Sequence, residues 1–261
     1  MGKRRVAKYP YLEHDGILAF AHRGGAGAWP ENTMPAFQGA VDLGYRYVET
    51  DAHATRDGVV LAFHDDKLDR TTDSTGIIAE MDYDDVRKAR IGGTEPIPLM
   101  AELLSAWPDL RINIDPKRNN AVEPLIRLLR DMNAAERVCV TSFSDRRTAT
   151  FRQALGPGLC TGMGPISTGR LRFASWMGAF GFVMGGFAEG CAQIPTEQYA
   201  ITLADRSLVN RAHELGLQVH VWTIDDPAEM HRLIDLDVDG IMTDEPALLK
   251  TVLIERGRWS S

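Results

Sequence analysis

The chain alternates two hydrophobic patterns. Short apolar runs rich in β-branched residues fall at ILAFAH (17–22), YVETDAH (47–53), VVLAFH (59–64), LRINID (110–115), RVCVTSF (137–143), GLCTGM (158–163), QVHVWTI (218–224) and DGIMTD (239–244). Apolar residues recur at helical spacing near 34–43, 82–90, 99–106, 121–132, 145–154, 205–215, 227–236 and 246–255. Strands alternating with helices predict a parallel sheet covered by helices. About eight such units in one chain predict an α/β fold, a TIM (β/α)8 barrel spanning 1–261 as a single unit. A doubly wound open sheet is the alternative.

Two places break the rhythm. Only TRDG separates YVETDAH from VVLAFH, which is hairpin spacing and too short for a crossover helix. The barrel is therefore expected to be irregular there. CAQIP (191–195) is a possible ninth strand, so one strand candidate must be accessory. Residues 65–98 read as a small insertion, because DDKLDRTTDSTG is rich in turn residues and GGTEPIP follows a short helical stretch.

Composition narrows the function. A formal net charge of −7 over 261 residues argues against a general nucleic-acid binder. An anion handled by this chain needs a local cluster of cationic donors or a metal. Three widely spaced cysteines, Cys139, Cys160 and Cys191, with no CxxC, predict buried thiols rather than a disulfide framework or zinc site. The basic start MGKRRVAKYPYLEHDG lacks the apolar core of a signal peptide, and no run of 18 apolar residues occurs. These features predict a cytoplasmic protein.

Strand periodicity gathers the polar residues. Side chains alternate faces, so Glu49, Asp51 and His53 share one face, as do Asn113, Asp115 and Lys117, and His220 and Trp222. They sit late in their strands, where a barrel opens its catalytic mouth. AHRGGAGAWPENTMPAF (21–37) adds His22 and Arg23 before a glycine-rich bend, then Glu31 and Asn32 before a helix capped by Thr33. His64 ends VVLAFH. Three carboxylates suit a hard divalent cation such as Mg2+ or Ca2+, with Mn2+ also compatible. Arg23 and Lys117 beside them suit a phosphate. Two histidines suit general acid and base work. Together the parts describe metal-assisted cleavage of a phosphoester. His53 and His220 stay open between structural and functional roles, and Ser144 reads as a helix cap. The uncharged FASWMGAFGFVMGGFA (173–188) reads as packing on the barrel, with an acyl-accepting or membrane-touching lip as the sharper alternative.

HRGGAGAWPENTMPAF, VETDAHATRDGVVLAFHDDKLDRTTDSTG, INIDPK, VHVWTIDD and VDGIMTDEP resemble the glycerophosphodiester phosphodiesterase family over about 17–250. The resemblance implies a TIM barrel with an insertion after the His-Asp motif. It implies a divalent metal held by Glu49, Asp51 and Asp115, and His22 and His64 as the acid/base pair. It also implies Arg23 and Lys117 on the phosphate, Glu31 and Asn32 lining the metal–phosphate region, and Trp222 on the glycerol or headgroup side. Asp115 departs from the family's usual Glu; it is one methylene shorter and raises the odds of a lysophospholipid substrate. The implied activity is hydrolysis of a glycerophosphodiester to sn-glycerol 3-phosphate and an alcohol. Lysophospholipase D activity, a non-catalytic phosphodiester-binding barrel and phosphomonoesterase activity are the alternatives. The implied partner is a small glycerophosphodiester or lysophospholipid.

Overall fold

A computed structural model describes residues 7–177 and 186–260. Eight parallel strands carry the fold: β1 Leu18–Ala21, β2 Tyr47–Ala54, β3 Arg111–Pro116, β4 Val138–Val140, β5 Cys160–Thr161, β6 Cys191–Ile194, β7 Gln218–Val221 and β8 Gly240–Thr243. Their spatial order is β5-β4-β3-β2-β1-β8-β7-β6. A parallel bridge between Gly162 and Cys191 joins the two ends. Gly190 N donates to Thr161 O at 2.9 Å and Met163 N to Cys191 O at 3.0 Å across the same seam. The ring therefore closes into a barrel, and the open doubly wound sheet does not occur.

One helix follows each barrel strand: α1 Met34–Asp42, α2 Met100–Ala106, α3 Val122–Asp131, α4 Asp145–Leu155, α5 Pro165–Trp176, α6 Arg206–Glu214, α7 Pro227–Asp235 and α8 Pro246–Glu255. Local chemistry sets their starts. Thr33 accepts a hydrogen bond from Ala36 N at 3.3 Å and Ser144 from Arg147 N at 3.3 Å, so both cap helices as expected.

The doubtful ninth strand is resolved. CAQI is barrel strand β6, and the accessory strand is Val60–Ala62, which pairs antiparallel with the end of β2. The insertion packs on this hairpin through Leu61, Phe63, Leu68, Ile78, Val86, Ala89, Ile91 and Ile97. Its helix covers only Tyr83–Val86, shorter than the expected 82–90, because Arg90 and Ile91 pair instead with Pro96 and Glu95. Helix α5 was not expected. Its buried side mixes Leu171 and Ala174 with Ser167, Arg172 and Ser175, so it carries no clean apolar stripe facing the barrel. Phe173, Trp176 and Met177 at its end are exposed rather than packed. Residues 178–185 of the uncharged segment lie outside the described residues.

Period-two alternation divides the core. Ala19 and Ala21 of β1 face the layer under the helices, whereas Leu18 and Phe20 point into the barrel with Tyr47 and Met242. Cys139, Cys160 and Cys191 meet in this inner cluster as free, buried thiols. The N-terminal residues Tyr9, Tyr11 and Leu12 plug the barrel beneath them. His220 is fully buried here, 5.1 Å from the Phe20 ring. Truncating Phe20 would leave a cavity with no means of filling. Phe20→Ala is expected to cost about 3–5 kcal/mol in denaturant unfolding; a loss under about 1 kcal/mol would show that the barrel interior is not packed as described.

Candidate active site

Strands β1, β2, β3 and β8 deliver the charged groups. Pairing of β2 with β3 is parallel and places Asp51 beside Asp115 and Glu49 beside Asn113. Asp51 and Asp115 are 1% and 7% exposed and Glu49 is 6% exposed. Lys117 bridges the aspartates, with Nζ 2.6 Å from Asp51 and 2.9 Å from Asp115. Arg23 Nε lies 3.3 Å from Asp51, and the backbone N–H of Arg23 donates to Glu49 at 3.3 Å. Arg23 sits at a left-handed φ of 50°. The next residue, Gly24, has φ 84°, and a Cβ there would lie 2.8 Å from Ala36 of α1. The glycine at this position thus serves close packing of the turn on α1; Gly24, Gly25 and Gly27 do not line the cavity.

Each histidine is oriented by a carboxylate. Asp244, at the end of β8, lies 2.7 Å from His22 Nδ1, and His22 Nε2 lies 3.7 Å from Glu49. Asp65 lies 2.6 Å from His64 Nδ1. A carboxylate on Nδ1 holds the proton there and leaves Nε2 for chemistry. Arg70 ties Asp65 to Glu31, with Nε 2.7 Å from Asp65 and Nη2 2.6 Å from Glu31. Glu31 also accepts from Arg23 at 3.1 Å.

Buried charge shifts the titrations. Burial and the neighbouring Asp51 carboxylate push Glu49 up to about 7. Burial likewise raises Asp115, against the pull of Lys117. Burial would raise Asp51 too, but Lys117 and Arg23 outweigh it and hold Asp51 below the usual carboxylate range. For Lys117, Asp115 and Asp51 overcome burial and keep it well above the usual lysine range. Burial pulls the His22 imidazole down, yet Glu49 and the Asp244 hydrogen bond carry it above its ordinary value. The site therefore sets three buried carboxylates against two cations, and Glu49 and Asp115 are held above the usual carboxylate range.

These groups floor a cavity of about 640 Å3. Its other walls are largely apolar: Phe143, Met163, Pro165, Ile194, Leu203 and Trp222. Trp222 meets Phe143 edge-on at 6.0 Å between ring centres. The model of the glycerophosphoryl diester phosphodiesterase family matches residues 22–162 and 173–248, which include every charged residue of this floor. The chain belongs to that family. It is 41% identical over 95% of both chains to a Mycobacterium tuberculosis protein named "Probable glycerophosphodiester phosphodiesterase 2". It is 30% identical to the lysophospholipase D GDPD1 of Mus musculus, over 95% of this chain and 91% of that one. An Oleispira antarctica phosphodiesterase, solved in complex with the product sn-glycerol-3-phosphate, superposes with a TM-score of 0.75 at 21% identity, covering 92% of this chain and 97% of that one. The last likeness carries the fold.

Of the expected site residues, His22, Arg23, Glu49, Asp51, His64, Asp115, Lys117 and Trp222 all line this one cavity. Glu31 and Asn32 do not line it. Asn32 is 1% exposed, takes the left-handed φ of 55°, and donates Nδ2–H to Asp51 at 3.1 Å, while Thr50 donates to its Oδ1 at 2.8 Å. It supports Asp51 from behind. Glu31 holds Arg23 and Arg70 together. His53 is tucked away from the cavity, its Nε2 3.0 Å from the backbone oxygen of His64. Asp244 and Arg70 were not anticipated. Asp244 left one trace: a polar residue directly after the apolar GIMT, at the position where strand ends carry function. Replacing Asp244 by Asn removes the carboxylate that favours the imidazolium. The His22 pKa is expected to fall in the metal-free protein, read by NMR titration; an unchanged value would detach Asp244 from His22.

Proposed function

We propose that the protein hydrolyses glycerophosphodiesters to sn-glycerol 3-phosphate and an alcohol, using a divalent metal and His22 and His64 as acid and base. The observation that carries this is the convergence of both carboxylate-oriented histidines on a floor that sets three buried carboxylates against two cations. The donor chemistry, though not the present spacing, suits a hard cation. Asp115 Oδ1 is buried with no hydrogen-bond partner. Glu49 has no lysine or arginine side chain against it among the described ion pairs. All the donors are carboxylate oxygens, the set preferred by Mg2+, Ca2+ or Mn2+. The trio does not converge as it stands: among the described residues the potential ligands that meet within 4.8 Å are the three cysteine sulfurs. Lys117, lodged between Asp51 and Asp115, holds part of the space.

Glu49, Asp51 and Asp115 would hold the ion, which supplies Lewis-acid polarisation of a nonbridging phosphate oxygen. Arg23 and Lys117 orient the phosphate and offset charge that grows on its oxygens in the transition state. The Nε2 atom of one histidine takes the proton of the attacking hydroxyl. Nε2 of the other returns a proton to the leaving alcohol, and we assign His64 to that role. Asp244 and Asp65 keep both rings in the tautomer that presents Nε2. The attacking hydroxyl belongs either to water or to the substrate's own glycerol 2-position.

A second reading, lysophospholipase D activity, draws support from the cavity itself. Its apolar walls extend past Trp222 to Trp176, which lines the mouth; Phe180, the other residue expected there, lies outside the described residues. One assay tests both readings: glycerophosphocholine and lysophosphatidylcholine, each with Mg2+ or Ca2+ and then with EDTA, scored for choline and for the phosphorylated product. Turnover of at least the first substrate that EDTA abolishes is expected. His22→Ala is expected to lower kcat on the order of 100- to 10,000-fold. Full activity in EDTA, or a near-normal His22→Ala enzyme, would overturn the mechanism.

A further inference from the structure

Among the described residues, nine large apolar side chains are exposed; Phe143, Trp176, Tyr199 and Ile201 line the cavity, and Ile166, Phe173 and Met177 continue the helix face that carries Trp176. Four form a stripe along the outer side of α5: Ile166, Phe173, Trp176 and Met177 fall at helical spacing on one face. A surface helix normally turns its large apolar residues inward; α5 buries Leu171 and Ala174 together with Ser167, Arg172 and Ser175, and leaves these four larger apolar side chains outside. Phe143 rises beside it from the loop after β4, and Tyr199 stands 90% exposed at the tip of a short hairpin after β6. The two remaining exposed apolar residues, Ile77 and Ile254, lie apart in the insertion and on α8.

We infer that this rim is a docking surface for a lipid layer, on which the protein works with its cavity mouth facing the layer. Three observations select that occupant. The rim is continuous with the cavity, since Phe143, Trp176 and Tyr199 belong to both. A second protein copy seated on the rim would stopper the mouth, whereas a lipid layer can deliver a phosphodiester through it. The rim mixes aliphatic residues with Trp and Tyr, which settle at the boundary between acyl chains and headgroups. The net charge of −7 gives no general attraction to anionic lipid, so apolar insertion drives the contact. Such a contact is insensitive to salt, unlike adsorption by charge. The preference for a lipid layer over a second copy rests partly on the phosphodiesterase reading; the exposed rim and its Trp and Tyr residues do not.

The test is flotation of the full chain with phosphatidylcholine vesicles doped with lysophosphatidylcholine, at low and high salt. Wild-type protein is expected to float at both salt levels. The double variant Ile166→Ser, Phe173→Ser changes two exposed residues outside the cavity lining. It is expected to lose vesicle partitioning by about tenfold or more while keeping wild-type turnover of soluble glycerophosphocholine. The inference is overturned if wild-type protein does not float, if salt strips it from the vesicles, or if the variant floats like wild type. It is also overturned if ultracentrifugation shows a wild-type dimer that the variant dissolves, because the rim would then be a contact between copies. Flotation without hydrolysis of either substrate would overturn the phosphodiesterase reading and leave the docking surface standing.

Discussion

Parallel pairing of β2 with β3 puts Asp51 directly beside Asp115, and two buried carboxylates at neighbouring positions repel unless a cation lies between them. Much of the site follows from meeting that demand. Lys117, two residues beyond Asp115 and on the same face of the extended chain, reaches both. Arg23 approaches Asp51 from the turn after β1, and Asn32 donates to Asp51 from behind. Arg23 in turn needs Glu31, which Arg70 pins to Asp65, and Asp65 orients His64. A chain of charge-assisted contacts thus runs from a strand register to the position of an imidazole about one loop away. Removing one member would leave its partner buried and uncompensated, which costs more than the pair contributes.

Glu49 stands partly outside this balance. It receives a backbone N–H and a distant imidazole but no lysine or arginine side chain, and burial with the Asp51 charge raises its pKa beyond what the nearby cations offset. In the proposed metal site, such a shortfall would stand before a cation arrives. Stability and function pull in opposite directions here, as buried ionisable groups in active sites commonly require. The barrel meets the cost with its lower half, where Phe20, Tyr47, Tyr11 and Met242 form an apolar interior closed by the N-terminal plug.

Much of the site was legible because strand periodicity is a strict geometric rule. Glu49 and Asp51, and Asn113, Asp115 and Lys117, reach the cavity as the alternation of faces requires. His53 obeys the same alternation yet leaves the cavity, because β2 overruns the ring and pairs with Val60–Ala62 at its end. His220 shares a face with Trp222 but lies one layer deeper, packed on Phe20; face is readable from sequence, depth is not. The family resemblance pointed to Glu31 and Asn32, which contact Arg23 and Asp51 without lining the cavity; whether a loop residue lines the cavity or stands behind it depends on partners far along the chain. Arg70 was hidden for the same reason, inside a turn-rich insertion. Helix α5 escaped notice because its buried side mixes Leu171 and Ala174 with Ser167, Arg172 and Ser175, while larger apolar side chains face out.

The central claim is that Glu49, Asp51 and Asp115 form one metal site and that Arg23 and Lys117 seat a phosphate beside it. Anomalous diffraction from crystals soaked with Mn2+ and sn-glycerol 3-phosphate tests it most directly. An anomalous peak about 2.0–2.6 Å from carboxylate oxygens of all three residues is expected, with the phosphate against Arg23 and Lys117. A peak elsewhere, for instance among the sulfurs of Cys139, Cys160 and Cys191, or a phosphate bound with no metal at the carboxylates, would contradict it.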